Sequence, residues 1–322
     1  MKIFLTGGTG FLGKAVVKRL LKDNHELYIL SRKKPTDSIY NNSKITIING
    51  SLENIEVWKS TLSNIEIIIH MAAPVTFWGN WEIYQKGIVE ATQNILNVAK
   101  EYEIKRLIYI SSESVLQSKV DLLNIDESYH YPESTNSYYG KSKQEAEKLL
   151  LADDSSLVKI ILRPTFIWGK DVPALESFKS KIESKQFMWI DHGKTMIEMV
   201  HVDNVAEAIS LSCVNGKDKD IFFITDDAAK SVKTFLTDLL DTQSITIPDK
   251  SIPSFIAKPL ARIIENIWRT LHLRSYPPLT SFDLSFIAMN RKYRINAAKT
   301  ILGYKPIVTY QEGLKGMKKD EV

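Results

Sequence analysis

The sequence predicts an α/β chain, a doubly wound parallel sheet with a smaller, mainly helical carboxyl-terminal part. Three observations carry this. Short apolar runs recur through the first half of the chain, amphipathic stretches separate them, and the first run enters a turn holding Gly7, Gly8, Gly10 and Gly13. Strands that alternate with helices in this rhythm make right-handed crossovers, and those build a parallel sheet.

Ile3 to Leu5 is the first strand, and the stretch with Ala15, Val16, Val17, Leu20 and Leu21 the first helix. The glycines between them allow a tight turn and let a pyrophosphate approach the unpaired N–H groups at the helix start, through Phe11, Leu12 and Gly13. The spacing of Gly7, Gly10 and Gly13 differs from the commoner G-x-G-x-x-G. Its place between first strand and first helix still points to a Rossmann-type dinucleotide site rather than a structural turn.

The second strand, Glu26 to Leu30, ends in Ser31-Arg32-Lys33-Lys34. An acidic residue here would accept from a ribose 2′-hydroxyl; Ser31 and Arg32 instead suit a 2′-phosphate, which favours NADP(H), with NAD(H) as the alternative. A solvated basic loop is the plain reading of the same residues. Ile45 to Ile48 is a third strand, followed by Gly50-Ser51-Leu52, and Glu66 to His70 a fourth, followed by Met71-Ala72-Ala73-Pro74. Val57 to Leu62 and Ile83 to Lys100 read as helices. Small Ala72 and Ala73 at a strand's carboxyl end leave room for a ligand.

Arg106 to Ile110 is the fifth strand and delivers Ser111, Ser112, Glu113 and Ser114 to the same edge. A polar loop, Asp121 to Ser137, leads to a helix opening at Tyr138, on which Tyr139 and Lys143 stand four apart and share a face. Val158 to Leu162 is a further strand, running into Arg163-Pro164-Thr165-Phe166-Ile167-Trp168-Gly169. Beyond it come a helix and its exit over Phe178 to Trp189, a short strand entering a helix capped near Asp203 (Glu198 to Ser212), and a late strand, Ile221 to Ile224. Ser251 to Leu273 is apolar at helical spacing, interrupted by Pro253 and Pro259, with Lys258, Arg262, Arg269 and Arg274 against Glu265. Such a segment packs on its own domain, covers an apolar substrate or touches a membrane surface. The dinucleotide-binding domain is expected over 1–165, rejoined by about 198–227, and the substrate-binding part over 166–197 and 228–322.

A chain of 322 residues with 44% hydrophobic residues can bury a sizeable core. The net charge of +4, from 42 basic and 38 acidic residues, gives no indication of nucleic acid as a partner. Cys213 alone excludes an intramolecular disulfide framework and a cysteine-rich metal site, and no metal is expected. Met1 runs straight into the first strand, so a signal peptide is not expected and the default location is cytoplasmic.

Ser112, Tyr139 and Lys143 reach one edge of the sheet. A phenol is a poor acid-base group at its ordinary pKa of about 10, and a nearby ammonium would bring it down. A serine hydroxyl could then hold a substrate oxygen while Tyr139 moves the proton, with hydride passing to or from a nicotinamide. Singly, each residue reads as structural; their order after a nucleotide turn makes the catalytic reading.

The chain resembles the extended short-chain dehydrogenases/reductases, the epimerase/dehydratase superfamily, in TGGTGFLG at Thr6 to Gly13, HMAA at His70 to Ala73, ISSESV at Ile110 to Val115, YGKSK at Tyr139 to Lys143 and LRPTFIWG at Leu162 to Gly169. The resemblance implies Tyr139 as acid-base, Lys143 as the residue that holds the nicotinamide ribose and tunes Tyr139, and Ser112 at the substrate carbonyl, with Ser111 and Ser114 beside it. Ser51, Leu52, Ala72, Ala73 and Pro164 would meet the cofactor. HVDNVAEA at His201 to Ala208, FITDD at Phe223 to Asp227 and the ending RINAAKTILGYKP are similar to the 3β-hydroxysteroid and sterol dehydrogenase branch and related 3-oxoacyl-chain reductases. That branch implies a bulky apolar alcohol or ketone, for which Phe77, Trp78, Trp81, Phe166, Trp168 and Trp189 are candidate pocket residues. Three positions depart from the family pattern. Ser51 replaces an aspartate that meets adenine, Ile88 replaces an asparagine of the proton relay, and Ser31 with Arg32 replaces the second-strand acid. The expected function is NADP(H)-dependent interconversion of a hydrophobic alcohol and ketone. A nucleoside-diphosphate-sugar epimerase or dehydratase and a non-catalytic dinucleotide sensor are the alternatives, and a homodimer is expected by analogy alone.

Overall fold

The computed structural model describes residues 1–318 except 75, 77 and 274, so Phe77 and Arg274 lie outside the described residues. Among the described residues, seven parallel strands form the central sheet. They are β1 (Lys2–Thr6), β2 (Glu26–Ser31), β3 (Ile45–Asn49), β4 (Ile67–His70), β5 (Arg106–Ile110), then, after a short off-sheet strand β6 (Leu122–Ile125), β7 (Val158–Pro164) and finally Asp220–Ile224. The order across the sheet is Asp220–Ile224, β7, β5, β4, β1, β2, β3. Successive strands are therefore added in one direction from β1 and in the other from β4, and the crevice outside the carboxyl ends of these two is where such sheets bind ligands.

The strands are apolar on both faces because helices cover both. On one side α1 (Phe11–Lys22) and the helix Val202–Ser212 bury Val16, Val17, Leu20 and Ile209 against Ile3, Leu5 and Ile29. On the other, Ile95 and Leu96 meet Phe4, Ile68 and Leu107. These two belong to a helix of three parts, α2 (Trp81–Tyr84), a π-helical stretch (Gln85–Glu90) and α3 (Ala91–Glu101). Beside them α4 (Tyr138–Ala152) contributes Ala146 and Leu150. Burying a side chain of this kind contributes about 1.5–3 kcal/mol, so continuous apolar runs are what a sheet covered twice requires.

Several local expectations change. Val57 to Leu62 is not an α-helix but parts of two 3₁₀ turns, Ile55–Val57 and Lys59–Asn64, because Thr61 and Ser63 hydroxyls bond the carbonyls of Trp58 and Ser60. The loop from Asp121 contains β6, which pairs in parallel with Arg291–Tyr293. The helix expected to be capped near Asp203 is capped by His201, whose Nδ1 accepts from the Asp203 N–H. The helix over Phe178 to Trp189 instead spans Ala174–Glu183. Pro253 is the N-cap of the helix Ser254–Thr270, which carries Pro259 in its second turn. The helices Val232–Asp241, Ser281–Ile287 and Tyr310–Met317 complete the carboxyl-terminal part. No helix among the described residues is long and apolar enough to cross a membrane.

Candidate active site

The glycine turn is specified by contacts that a side chain would destroy. Gly7 has φ +74°, and a Cβ there would stand 2.8 Å from the Ala72 nitrogen, while at Gly13 it would stand 2.2 Å from the Gly7 carbonyl oxygen. The turn thus lies against Ala72 and closes onto the start of α1. At Gly10, the N-cap, an added Cβ would meet only the Gly7 oxygen at 3.5 Å, so this side of the turn opens outward. No side chain among the described residues caps α1, leaving the N–H groups at Phe11, Leu12 and Gly13 for an anion. The residues therefore fit a dinucleotide pyrophosphate. Tyr40 donates its hydroxyl to the Gly8 carbonyl at 2.9 Å, and the Ala72 N–H donates to Thr6 Oγ1 at 3.2 Å, fixing the crevice from both sides.

After β2, the Ser31 hydroxyl donates to the Lys33 carbonyl at 2.7 Å. Its proton shapes the loop instead of pointing to a phosphate, while Arg32 is exposed and no carboxylate among the described residues pairs with it. Ser51 and Leu52 offer their carbonyls inward, to Trp58 Nε1 at 2.8 Å and Asn94 Nδ2 at 3.3 Å. Pro164 ends β7 and is buried, and next to it Thr165 Oγ1 is buried with no partner among the described residues; so are Ser111 Oγ and Ser114 Oγ at the end of β5. Unpaired buried hydroxyls on neighbouring strand ends are polar groups awaiting a ligand.

Ser112 and Tyr139 approach one another at this edge, near enough for the serine hydroxyl to act on the phenol. Ser112 is placed by capping the 3₁₀ turn Glu113–Val115, where its Oγ accepts from the Ser114 N–H at 3.2 Å. Tyr139 is placed by the first turn of α4, started by Ser137, whose side chain accepts from the Gly140 N–H at 3.0 Å. Gly140 is required there, since a Cβ would stand 2.5 Å from the Ser114 carbonyl oxygen. Burial pushes the Tyr139 phenol up to about 12; the Ser112 hydroxyl opposes this and the neighbouring Tyr84 adds to it.

Lys143, one turn on, faces inward. Its Nζ donates to the Ile110 carbonyl at 2.7 Å and lies 4.7 Å over the Tyr109 ring. Burial brings it down to about 7, against the pull of Glu147. In the chain by itself the Tyr139 phenol is thus raised, with burial as the largest cause. His70 at the end of β4, hydrogen-bonded to Thr6 Oγ1 at 2.7 Å, is held down to about 3 by burial and by Lys143, and is neutral.

Two buried glutamates brace these groups. Glu147, one turn beyond Lys143, receives Arg163 Nε at 3.0 Å and Nη2 at 2.6 Å on its two oxygens, and the Tyr131 hydroxyl at 2.6 Å. Glu113, next to Ser112, receives Arg291 Nη1 at 3.0 Å and the Tyr293 hydroxyl. Sequence reasoning missed both. Arg163 and Glu113 stood within quoted motifs, but nothing in the sequence paired them with residues far along the chain.

A cavity of about 360 Å³ lies at the start of α4, with Trp78, Tyr84, Tyr138 and Phe282 on one part of its wall and Glu133, Asn136, Lys141, Gln144, Glu265 and Arg269 on the rest; Tyr139 is not in its lining but touches Phe282, which is. The Phe282 ring meets Tyr139 edge-on at 6.5 Å between centroids, and the Arg269 guanidinium lies 4.7 Å from the Trp78 ring and 4.8 Å from that of Tyr138. Trp78 lines this cavity, and Trp81 lies beside it against Tyr138. Trp168 does not. It is fully buried, its Nε1 donates to Asp226 at 2.8 Å, and its ring packs on His201 and Tyr310; an indole with that partner is core. Trp189 is core too, against Phe187. Phe166 is half-buried between Phe235 and Phe286, away from the cavity lining. Ile88 is buried within the π-helical stretch, and its carbonyl accepts the Thr92 hydroxyl at 2.6 Å.

Glycine turn, switch-point crevice and the Tyr139–Lys143 helix face belong to an NAD(P)-dependent dehydrogenase/reductase of the extended short-chain type. The sequence pattern of the 3-beta hydroxysteroid dehydrogenase/isomerase family matches residues 4–253, and the chain belongs to that family. It is 30% identical, over 99% of its length and 96% of the relative's, to a 4-hydroxy-2-methyl-3-oxo-4-farnesyl-3,4-dihydroquinoline-1-oxide ketoreductase of Stigmatella aurantiaca. To a decarboxylating sterol-4-alpha-carboxylate 3-dehydrogenase of Dictyostelium discoideum it is 28% identical, covering 97% of this chain and 98% of the other. The solved UDP-glucuronic acid 4-epimerase of Bacillus cereus in complex with NAD shares the fold, with a TM-score of 0.75 at 19% identity over 99% of this chain and 95% of that one.

Proposed function

We propose that the protein reduces a hydrophobic ketone to a secondary alcohol with NADPH, and that Ser112, Tyr139 and Lys143 are its catalytic residues. The observation that carries this is the approach of Ser112, capping the 3₁₀ turn after β5, to Tyr139 on the first turn of α4, with Lys143 buried one helix turn further on. A protonated phenol can serve as the general acid that the reductive direction requires. The dinucleotide, when bound, supplies the hydride. Tyr139 gives its proton to the substrate oxygen as charge develops there, Ser112 holds the same oxygen, and Lys143 sits one turn away where a ribose hydroxyl could exchange for the Ile110 carbonyl. Gly7, Gly10, Phe11, Leu12, Gly13, Ala72, Ala73 and Pro164 would frame the cofactor, within a dinucleotide-binding unit of 1–165 and about 198–227. Substrate class rests on the relatives, whose names specify a farnesyl-bearing ketone and a sterol.

The experiment is NADPH oxidation over a panel of steroid, long-chain 3-oxo and quinoline ketones; no turnover with any of them would refute the assignment. Arg32→Asp is expected to weaken NADPH binding at least about tenfold, as the loss of a charge-assisted pair with the 2′-phosphate implies, and to leave NADH binding nearly unchanged. Equal losses would overturn the NADP preference. The cations Lys141 and Arg269 at the cavity favour one second reading, a nucleoside-diphosphate-sugar epimerase, although Glu133 and Glu265 line the same space. Cofactor retained through purification together with binding of a UDP-sugar would select it.

A further inference from the structure

The helix Ser254–Thr270 is attached by small residues and turns large ones outward. Ala257 and Ala261 are fully buried against Ile190 and Leu284, which brings the helix close to the protein. Phe255, Ile256, Leu260, Ile263 and Ile267, with Leu271 just past its end, form a neighbouring stripe that stays exposed, Phe255 by 74% and Ile263 by 57%. Six large apolar side chains in water on one stripe are a surface awaiting a partner.

The charges identify that partner. Lys258 and Arg262 are exposed along the polar side, Arg269 being held on the Trp78 and Tyr138 rings, while the acid of this helix, Glu265, is taken by Ser281, accepting its N–H at 2.8 Å and its hydroxyl at 2.7 Å. The helix therefore presents cations on one side and bare hydrocarbon on the other, the pattern of a helix lying in a membrane interface. A second copy of the chain is a poorer fit. Seventeen residues span about 25 Å, and a stripe about 10 Å wide offers roughly 250 Å², well below the roughly 800 Å² per partner of a stable dimer.

We propose that this helix docks the protein on a bilayer surface containing anionic phospholipid. Because Glu265 and Arg269 of the same helix line the cavity at the start of α4, docking brings that cavity near the lipid boundary, where an apolar substrate is concentrated. The inference concerns the surface alone and stands whatever ketone is reduced.

The test is co-sedimentation of the full-length protein with phosphatidylcholine vesicles, pure or containing one quarter phosphatidylglycerol. The protein is expected to pellet with the mixed vesicles and to be released by high salt. The triple variant Phe255→Ser, Ile263→Ser, Ile267→Ser should partition at least about tenfold less, with unchanged melting and NADPH binding. Lys258→Glu with Arg262→Glu alters only exposed cations and should weaken binding to the mixed vesicles without disturbing the fold. Wild type left in the supernatant, equal binding to both vesicle types, or variants that bind as wild type would overturn the proposal. So would a concentration-dependent dimer in light scattering that the triple variant abolishes, since the stripe would then belong to a second copy.

Discussion

Glu147 and Glu113 are each buried at the candidate site and each held by one arginine and one tyrosine, but the chain closes the two clamps over very different distances. Glu147 and Arg163 are sixteen positions apart, on α4 and on β7 beside it, so this clamp is internal to the sheet and its covering helix. Glu113 and Arg291 are 178 positions apart, so this clamp ties the serine loop to a strand of the carboxyl-terminal part. The first braces Lys143 and with it the proposed cofactor side; the second braces Ser112 and the substrate side. One site is thus supported by two independent means, one local and one that depends on the whole chain being assembled.

Cutting either clamp should have the largest effect on stability. Arg163→Met or Arg291→Met leaves a buried carboxylate unpaired, and each is expected to lower unfolding free energy by about 3–5 kcal/mol in denaturant titration. The comparison is sharpened by function. Arg163→Lys should mainly weaken NADPH binding, and Arg291→Lys should mainly lower kcat for the ketone with NADPH affinity retained. The same loss pattern in both variants would break the distinction.

A smaller effect is expected at Trp168. Trp168→Phe removes the indole N–H from Asp226, whose carboxylate still accepts from Asn204 and the His201 N–H, so the cost should be about 1–3 kcal/mol with no change in ketone KM. A raised KM would return Trp168 to the substrate pocket.

The smallest effect is a pH slope at the assembled clamp. Glu198 accepts from the Tyr293 N–H at 3.2 Å, and burial, with Asp227 and Glu113 nearby, pushes it up to about 7. Its folded-state value lies above its ordinary 4.5, so the folded chain holds the proton more tightly. That contribution is complete below pH 4.5 and is lost as pH rises to about 7. Glu198→Gln should flatten the fall of Tm across this window, and an unchanged slope would remove Glu198 as its source.

What was legible in the sequence follows the same division. The glycine turn and the succession of parallel strands in the first half could be read because they rest on backbone requirements and on residues near in sequence. Gly13 must lack a side chain because the Gly7 oxygen occupies the place. The sense of the Tyr139 shift was not legible, since it depends on desolvation that only the folded edge creates. Nor was the role of Trp168: an aromatic in LRPTFIWG reads equally as core or pocket until Asp226 is seen to meet its indole. Arg291 carried no signal, because its partner lies beyond any local pattern.

The most direct measurement is the NADPH-dependent reduction rate of Tyr139→Phe beside wild type, with NADPH affinity determined on both. Removing a positioned general acid should lower kcat about 10²–10⁴-fold while cofactor affinity stays the same. Reduction by Tyr139→Phe at the wild-type rate would contradict the account.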